Sequence, residues 1–230
     1  MILVLRKWED IPSALKNERT RHYYEVLSRK KFNLFLKRVF DFIVALFLLV
    51  LLAPVFVVVA ILVKLTSVGP ILYKQERVTT YGQIFRIYKF RTMVENADKM
   101  GSLVTLDNDT RVTKVGRFLR RFRLDEIPQL FNIILGQMSF VGTRPEVKKY
   151  VDAYSDEMLA TLFMPAGVTS LASISFRDED KHLDSGESVE DTYINKILPE
   201  KMKHNLEYIE KFNIFYDITL MIKTILAVVN

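Results

Sequence analysis

The chain has 230 residues, half of them hydrophobic, with 33 Lys and Arg against 27 Asp and Glu for a net charge of +6. That length suits one catalytic domain with an attached element, and the absence of cysteine excludes a disulfide framework, a thiolate nucleophile and a zinc-thiolate site. The basic balance suits a phosphate-bearing partner, whether nucleic acid, an anionic membrane surface or a phosphorylated small molecule.

In chain order, residues from about Ser13 to Phe35 mix charges with Leu15, Tyr23, Tyr24, Leu27 and Phe32, the pattern of a helix at a membrane surface. Trp8 reads equally as an interfacial anchor or as an incidental aromatic. The stretch from Phe42 to Val63 carries no charge and is long enough to cross a bilayer. It begins too far into the chain, and runs too long, for a cleavable signal. Pro54 near its middle denies the Val50 carbonyl its helical donor, which predicts a kink at Ala53-Pro54. Cations flank both ends, Arg29, Lys30, Lys31, Lys37 and Arg38 before and Lys64, Lys74 and Arg77 after, so the cytoplasm-favouring signal is doubled. A helix that dips in and returns satisfies both features; a spanning anchor with a tolerated proline satisfies the residues equally well.

Beyond the apolar stretch, 71–76 and 84–90 read as two short strands joined by turn residues, a small β-hairpin. Helical patterns follow at Val115 to Phe122, at Glu126 to Leu135 with Pro128 in the first turn, and at Glu146 to Phe163. The most linker-like stretch is Arg177 to Val189. The tail from Pro199 to Asn230 reads as one long helix, polar and then apolar, that lies in the interface or packs on the domain. The fold class is therefore α+β and mainly helical. It divides into a surface segment 1–38, a membrane hairpin 39–66, a catalytic domain 67–198 and an amphipathic helix 199–230.

Chemistry concentrates between Arg86 and Pro145. Lys114, Arg117, Arg120 and Arg121 recur at helical intervals and lead through Arg123 into Asp125-Glu126, a crowding of cations that an anionic ligand would relieve. Adjacent carboxylates among arginines suit phosphoryl transfer: one attacks phosphorus while its neighbour helps hold a divalent cation. The same pair also suits a plain helix start, where it complements the N-terminal dipole. His22, His182 and His204 lie in separate segments and form no metal cluster.

Several segments in order carry a resemblance: Lys37-Arg38-Val39-Phe40-Asp41, the proline-broken apolar run, Gly69-Pro70, Ile87 to Met93, Asp109 to Arg120, Leu124 to Leu130, Asn132, Gly136 to Gly142 and Arg144-Pro145. Together they resemble the monotopic phosphoglycosyl transferases, bacterial sugar transferases, over most of 37–175. The resemblance implies that Asp125 attacks the sugar-bearing phosphate of a UDP-sugar, expels UMP and leaves an aspartyl phosphosugar, which polyprenyl (undecaprenyl) phosphate then takes up. It implies that Glu126, with Asp125, binds Mg2+, and that Lys89, Arg91, Arg120 and Arg144 clamp phosphates. It further implies a re-entrant membrane helix bent at Ala53-Pro54, contact with membrane lipids, and a catalytic domain on the cytoplasmic face of the bacterial inner membrane. Ala53 stands where the family often has serine, Thr143 where proline is expected and Thr79 where glycine is expected. Nucleic acid is not an expected partner, since no base-reading module is evident. The sequence leaves a homo-oligomer open, and a non-catalytic membrane scaffold stands as the alternative reading.

Overall fold

The computed structural model describes residues 5–97, 100, 109–176 and 189–229. The linker-like stretch from Arg177 lies outside the described residues up to residue 188. Helix α1 (Glu18–Ser28) starts at a capping box in which Thr20 N donates to Asn17 Oδ1 at 2.8 Å and Asn17 N donates to Thr20 Oγ1 at 3.1 Å. Its apolar face is buried: Tyr23, Tyr24 and Leu27 join the main core, and Trp8 packs on Tyr24 with ring centroids 5.0 Å apart. Trp8 is thus tied into the packing of the domain.

Helices α2 (Lys31–Leu51) and α3 (Ala53–Thr66) meet at a 63° bend. Leu52 leaves helical geometry at φ −90°, ψ 3°, and Pro54 occupies the first turn of α3, where its missing N–H removes only a donor that has no partner there. Among the described residues no single helix is long and apolar enough to cross a membrane, although the bent pair together meets that measure. Apolar side chains remain exposed along both arms, including Phe47 at 64%, Val50 at 71% and Leu65 at 79%. The inner face of α3 is covered: Val59 and Val63 pack with Phe90 and Leu119.

Strands β1 (Leu72–Val78) and β2 (Ile84–Phe90) form the expected antiparallel hairpin, in register from Leu72 opposite Phe90 to Val78 opposite Ile84. The turn carries Tyr81 and Gly82 at positive φ. Helix α4 (Lys114–Arg121), a 3-10 turn (Leu124–Glu126), α5 (Gln129–Ile134), β3 (Met138–Val141) and α6 (Lys148–Val151) follow. A second 3-10 segment (Met158–Phe163), β4 (Ala166–Thr169), α7 (Leu171–Ser175) and α8 (Val189–Thr192) lead through a π-helical turn (Tyr193–Ile197) into α9 (Leu198–Lys211) and α10 (Ile214–Val229).

The helix read over about Ser13 to Phe35 is broken into a 3-10 turn (Ser13–Leu15), α1 and the start of α2, because Leu15, Tyr23, Tyr24 and Leu27 turn into the main core. Three further elements differ from the sequence expectation. The single helix expected over Glu146 to Phe163 is broken into α6 and the 3-10 segment. Its apolar residues serve two clusters, Val147 and Tyr150 facing Tyr193 and Leu198 while Leu162 and Phe163 enter the main core, and one straight helix cannot face both. The long tail helix is split at Phe212, whose extended backbone lets its fully buried ring reach the core, and Asn213 Oδ1 then accepts from Tyr216 N to start α10. Strands β3 and β4 pair in parallel, each only four residues long and buried, too short to show alternation in the sequence.

Helix α10 both packs and presents an apolar face: Asp217 and Leu220 are buried, whereas Phe215, Ile222 and Ile225 are exposed. A buried polar network ties it to the bent pair. Lys37 Nζ donates to Asp217 Oδ2 at 2.5 Å, Tyr208 OH donates to Asp217 Oδ1 at 2.7 Å, and Ser139 Oγ donates to Asp41 Oδ2 at 2.6 Å. Arg38 completes the junction by donating to the Ile133 and Ile134 carbonyls at the C-terminal end of α5. The first arm of the bent pair is therefore bonded to three elements of the domain.

Candidate active site

The site grows from the end of α4. Gly116 N is capped by Thr113 Oγ1 at 2.9 Å, and Thr113 N donates to the Thr92 carbonyl at 2.9 Å, which lays α4 against the strand end after β2. The close approach requires glycine, because a Cβ on Gly116 would stand 2.0 Å from that carbonyl oxygen. Helix α4 ends with Arg123 in the left-handed region at φ 55°, its N–H bonded to the Arg120 carbonyl, and this reversal sets up the 3-10 turn that holds the acid pair. Leu124 and Ile127 turn toward Phe90 and Leu119, and Asp125 and Glu126 are left facing the cationic side, both buried.

Glu126 is the hub of that side. Its Oε1 lies 3.0 Å from Lys89 Nζ, 3.1 Å from Arg144 Nη2 and 3.8 Å from Arg123 Nη1. Burial alone would raise its pKa, but Lys89, Arg144 and Arg123 together outweigh burial and hold the carboxyl well below the usual range. Burial lowers the Lys89 pKa, with Glu126 opposing. The Arg144 guanidinium is held firmly charged by Glu126 against the pull of burial. Asp125 differs: burial raises its pKa, with Lys89 and Arg120 opposing and the neighbouring Glu126 adding to the rise. Among the described residues no hydrogen bond engages its carboxylate, whereas Glu126 beside it is held through Oε1 by Lys89 and Arg144.

Of the basic residues expected to meet phosphate, Lys89 and Arg144 converge directly on the acid pair, and Arg120 stands within electrostatic reach of Asp125 while its Nε donates to Thr92 Oγ1 at 2.9 Å. Arg91 is committed elsewhere: its buried guanidinium bonds Ser67 Oγ, the Ser67 carbonyl at 2.7 Å and the Pro70 carbonyl, bracing the end of α3 against β1. Arg123, one of the cations that lead into the acid pair but not among the residues expected to clamp phosphate, also joins the hub. Its signal was present in the position directly before Leu124-Asp125-Glu126, but the left-handed backbone that swings it onto Glu126 is a tertiary outcome.

The Gly142 to Glu146 segment that carries Arg144 is gripped from both sides. Gly142 N donates to the Thr169 carbonyl and Gly167 N to the Thr143 carbonyl, while Val78 N donates to the Glu146 carbonyl and Arg77 Nη1 to the Pro145 carbonyl. Thr143, where proline was expected, thus meets β4 through its backbone. Thr79, where glycine was expected, adds a clamp of its own: its hydroxyl donates to the Gln137 carbonyl at 2.8 Å and accepts from Ala166 N at 3.2 Å.

Among the described residues no group of three or more His, Cys, Asp or Glu could hold a metal ion. A pair of adjacent carboxylates is the kind of donor set from which a hard divalent cation takes one or two oxygens, substrate phosphate and water completing the shell. Three cations crowd Glu126 Oε1, while no hydrogen bond engages either oxygen of Asp125 among the described residues.

A sequence profile of the family described as bacterial sugar transferase matches residues 32–230. The chain is 33% identical over 199 residues to a UDP-N-acetylgalactosamine-undecaprenyl-phosphate N-acetylgalactosaminephosphotransferase of Aeromonas hydrophila, covering 85% of this chain and 44% of that protein. It is 36% identical over 199 residues to a UDP-glucose:undecaprenyl-phosphate glucose-1-phosphate transferase of Escherichia coli strain K12, covering 84% and 40%. With the exopolysaccharide production protein ExoY of Rhizobium meliloti it shares 33% identity over 207 residues, covering 84% of each chain. The chain spans less than half the length of the first two relatives. Together with the acid pair and the cations gathered on it, these matches show that the chain belongs to the bacterial sugar transferase family.

Proposed function

We propose that the protein transfers a sugar 1-phosphate from a UDP-sugar to polyprenyl phosphate, releasing UMP, through an aspartyl phosphosugar intermediate. The observation that carries this reading is the contrast within the acid pair: Glu126 is gripped by Lys89 and Arg144, whereas the Asp125 carboxylate beside it is unbonded among the described residues. In the first step an Asp125 oxygen attacks the sugar-bearing phosphorus. The P–O bond to the uridylyl phosphate breaks, and UMP departs with that electron pair. In the second step a phosphate oxygen of the polyprenyl phosphate attacks the same phosphorus, and the bond to Asp125 breaks, returning the free carboxylate and giving polyprenyl diphosphate sugar.

Lys89 and Arg144, gathered on Glu126, receive equatorial phosphate oxygens in this reading as charge builds there, and Arg120 serves the Asp125 side. Asp125 and Glu126 would hold Mg2+, which when bound supplies charge neutralisation at the transferred phosphate. Arg91 supports the site by bracing the connection from α3 to β1.

The bent pair α2 and α3 supports a re-entrant membrane hairpin with both ends on the cytoplasmic side of the bacterial cell membrane. Its exposed apolar arms face lipid, and α10 lies at the interface with Phe215, Ile222 and Ile225 outward. That geometry keeps a soluble nucleotide sugar and a lipid phosphate within reach of one site.

Purified protein in detergent, given Mg2+, undecaprenyl phosphate and a panel of UDP-sugars, is expected to release UMP from at least one donor, and Asp125→Asn is expected to abolish release. Release that persists in Asp125→Asn would overturn the nucleophile assignment. The chain has no native cysteine, so Ser28→Cys and Thr66→Cys can be labelled singly in membrane vesicles. Both are expected to react from the cytoplasmic side; reaction from opposite sides would replace the hairpin with a span.

A further inference from the structure

Asn132 is fully buried on α5 and makes three hydrogen bonds to groups outside its own helix. Its Oδ1 accepts from Tyr88 N at 3.0 Å, and its Nδ2 donates to the Arg86 carbonyl at 2.8 Å and to Gln137 Oε1 at 2.8 Å. The first two partners lie two residues apart on one strand, the spacing at which one residue of a parallel neighbouring strand would offer its own N–H and C=O. The Asn132 amide, with one acceptor and two donors, stands in for the N–H and C=O of that missing strand residue. No shorter or differently branched side chain supplies both halves of the pair in this place.

The consequence runs to the active site. Lys89 is the next residue after Tyr88, and Glu126 lies on the turn that leads directly into α5. The Asn132 amide is thus the bond that sets β2 in register with the helix following the acid pair. Successive strand side chains point to opposite faces, so a slip of one residue would turn Lys89 away from Glu126 altogether. Gln137 extends the bond to the hairpin turn, because its own carbonyl accepts from Thr79 Oγ1.

We propose that Asn132 is a positioning residue for the transfer reaction, acting by registering β2 so that Lys89 meets the Asp125-Glu126 pair. The proposal rests on the function proposed above, and its test separates the two. Mass-spectrometric mapping of lysines after treatment with an amine-acylating reagent reads the position of Lys89 with no need for activity. In the full-length protein Lys89 is expected to be labelled slowly, being bonded to Glu126, and several-fold faster in Asn132→Ala, with the other lysines unchanged. UMP release is then compared in wild type, Asn132→Ala, Lys89→Met and the double variant. Asn132→Ala is expected to lose roughly 10- to 100-fold in kcat/KM, the size of a small misplacement of a reacting group. In the Lys89→Met background it is expected to lose almost nothing more, since the two act as one unit. Unchanged Lys89 labelling, a uniform rise at all lysines, or losses that multiply in the double variant would each overturn the positioning role. Failure of the wild-type protein to release UMP from any donor would count against the transfer reading alone, because the labelling result stands without it.

Discussion

Lys89 Nζ lies 3.0 Å from Glu126 Oε1 although 37 positions separate the two residues in the chain. The pair joins the end of the hairpin to the turn after α4, and it occupies Glu126 rather than the neighbouring Asp125. Lys89→Met is therefore expected to lower kcat/KM for UMP release by on the order of 10²-fold, as removal of a preorganised charge donor does, while circular dichroism stays that of the wild type. A loss of the same size that comes entirely from a raised KM, with kcat unchanged, would mean that Lys89 only holds the donor and does not serve the transition state.

Arg91 tests the opposite case. Its guanidinium braces Ser67 and Pro70, so Arg91→Lys, which keeps the charge but loses the planar fork, is expected to lower the melting temperature and to leave the KM for the UDP-sugar near its wild-type value. A raised KM at unchanged melting temperature would return Arg91 to the phosphate.

Gly116→Ala places a methyl group 2.0 Å from the Thr92 carbonyl oxygen, backbone that cannot yield as a flexible side chain would. The gain of about 1 kcal/mol in helix propensity is expected to be outweighed by overpacking of about 1–3 kcal/mol or more. Thermal denaturation checks the sign. Activity is expected to fall as well, since α4 carries Arg120 and its bond to Thr92 Oγ1.

The Lys37 network carries a pH signature. Burial raises the Asp217 pKa while Lys37 and Tyr208 oppose the rise, and Asp41 adds to it. In Lys37→Met the opposing cation is gone and the native Asp217 pKa moves further above its unfolded value of about 3.9. A carboxyl whose native pKa is raised resists ionisation in the fold, so the variant is expected to lose stability as pH climbs from that value through the native one. Near pH 4 the variant should approach the wild type, and at neutral pH it should lie about 3–5 kcal/mol lower, the usual penalty for stranding a buried charge. A second substitution, Asp217→Asn, is expected to recover much of the loss; melting curves across pH in detergent would show both effects.

Much of this protein was legible because its signals are local. The kink at Pro54 follows from one missing N–H, and the hairpin follows from two short runs around a turn. Helix α4 follows from apolar and basic spacing. The acid pair and its neighbouring cations are contiguous, and so they were visible as a motif. The continuous helix expected over Glu146 to Phe163 failed because helical spacing reports that residues are buried without reporting against what. Val147 and Phe163 answer to different clusters. The tail failed in the same way at Phe212, where burial of one ring overrode a strong local helical preference.

By itself the sequence determined where the long apolar run lies, where it bends, and which two carboxylates stand together among cations. Only the tertiary structure decided which of the basic residues reach those carboxylates: Lys89, Arg123 and Arg144 do, while Arg91, equally basic and two positions from Lys89, turns to Ser67 and Pro70. The reason is physical. A charge pattern fixes the number and spacing of cations along the chain, but the partner of each is set by strand register, by the left-handed turn at Arg123 and by the glycine contact of α4 with Thr92, all of which depend on residues far away in sequence.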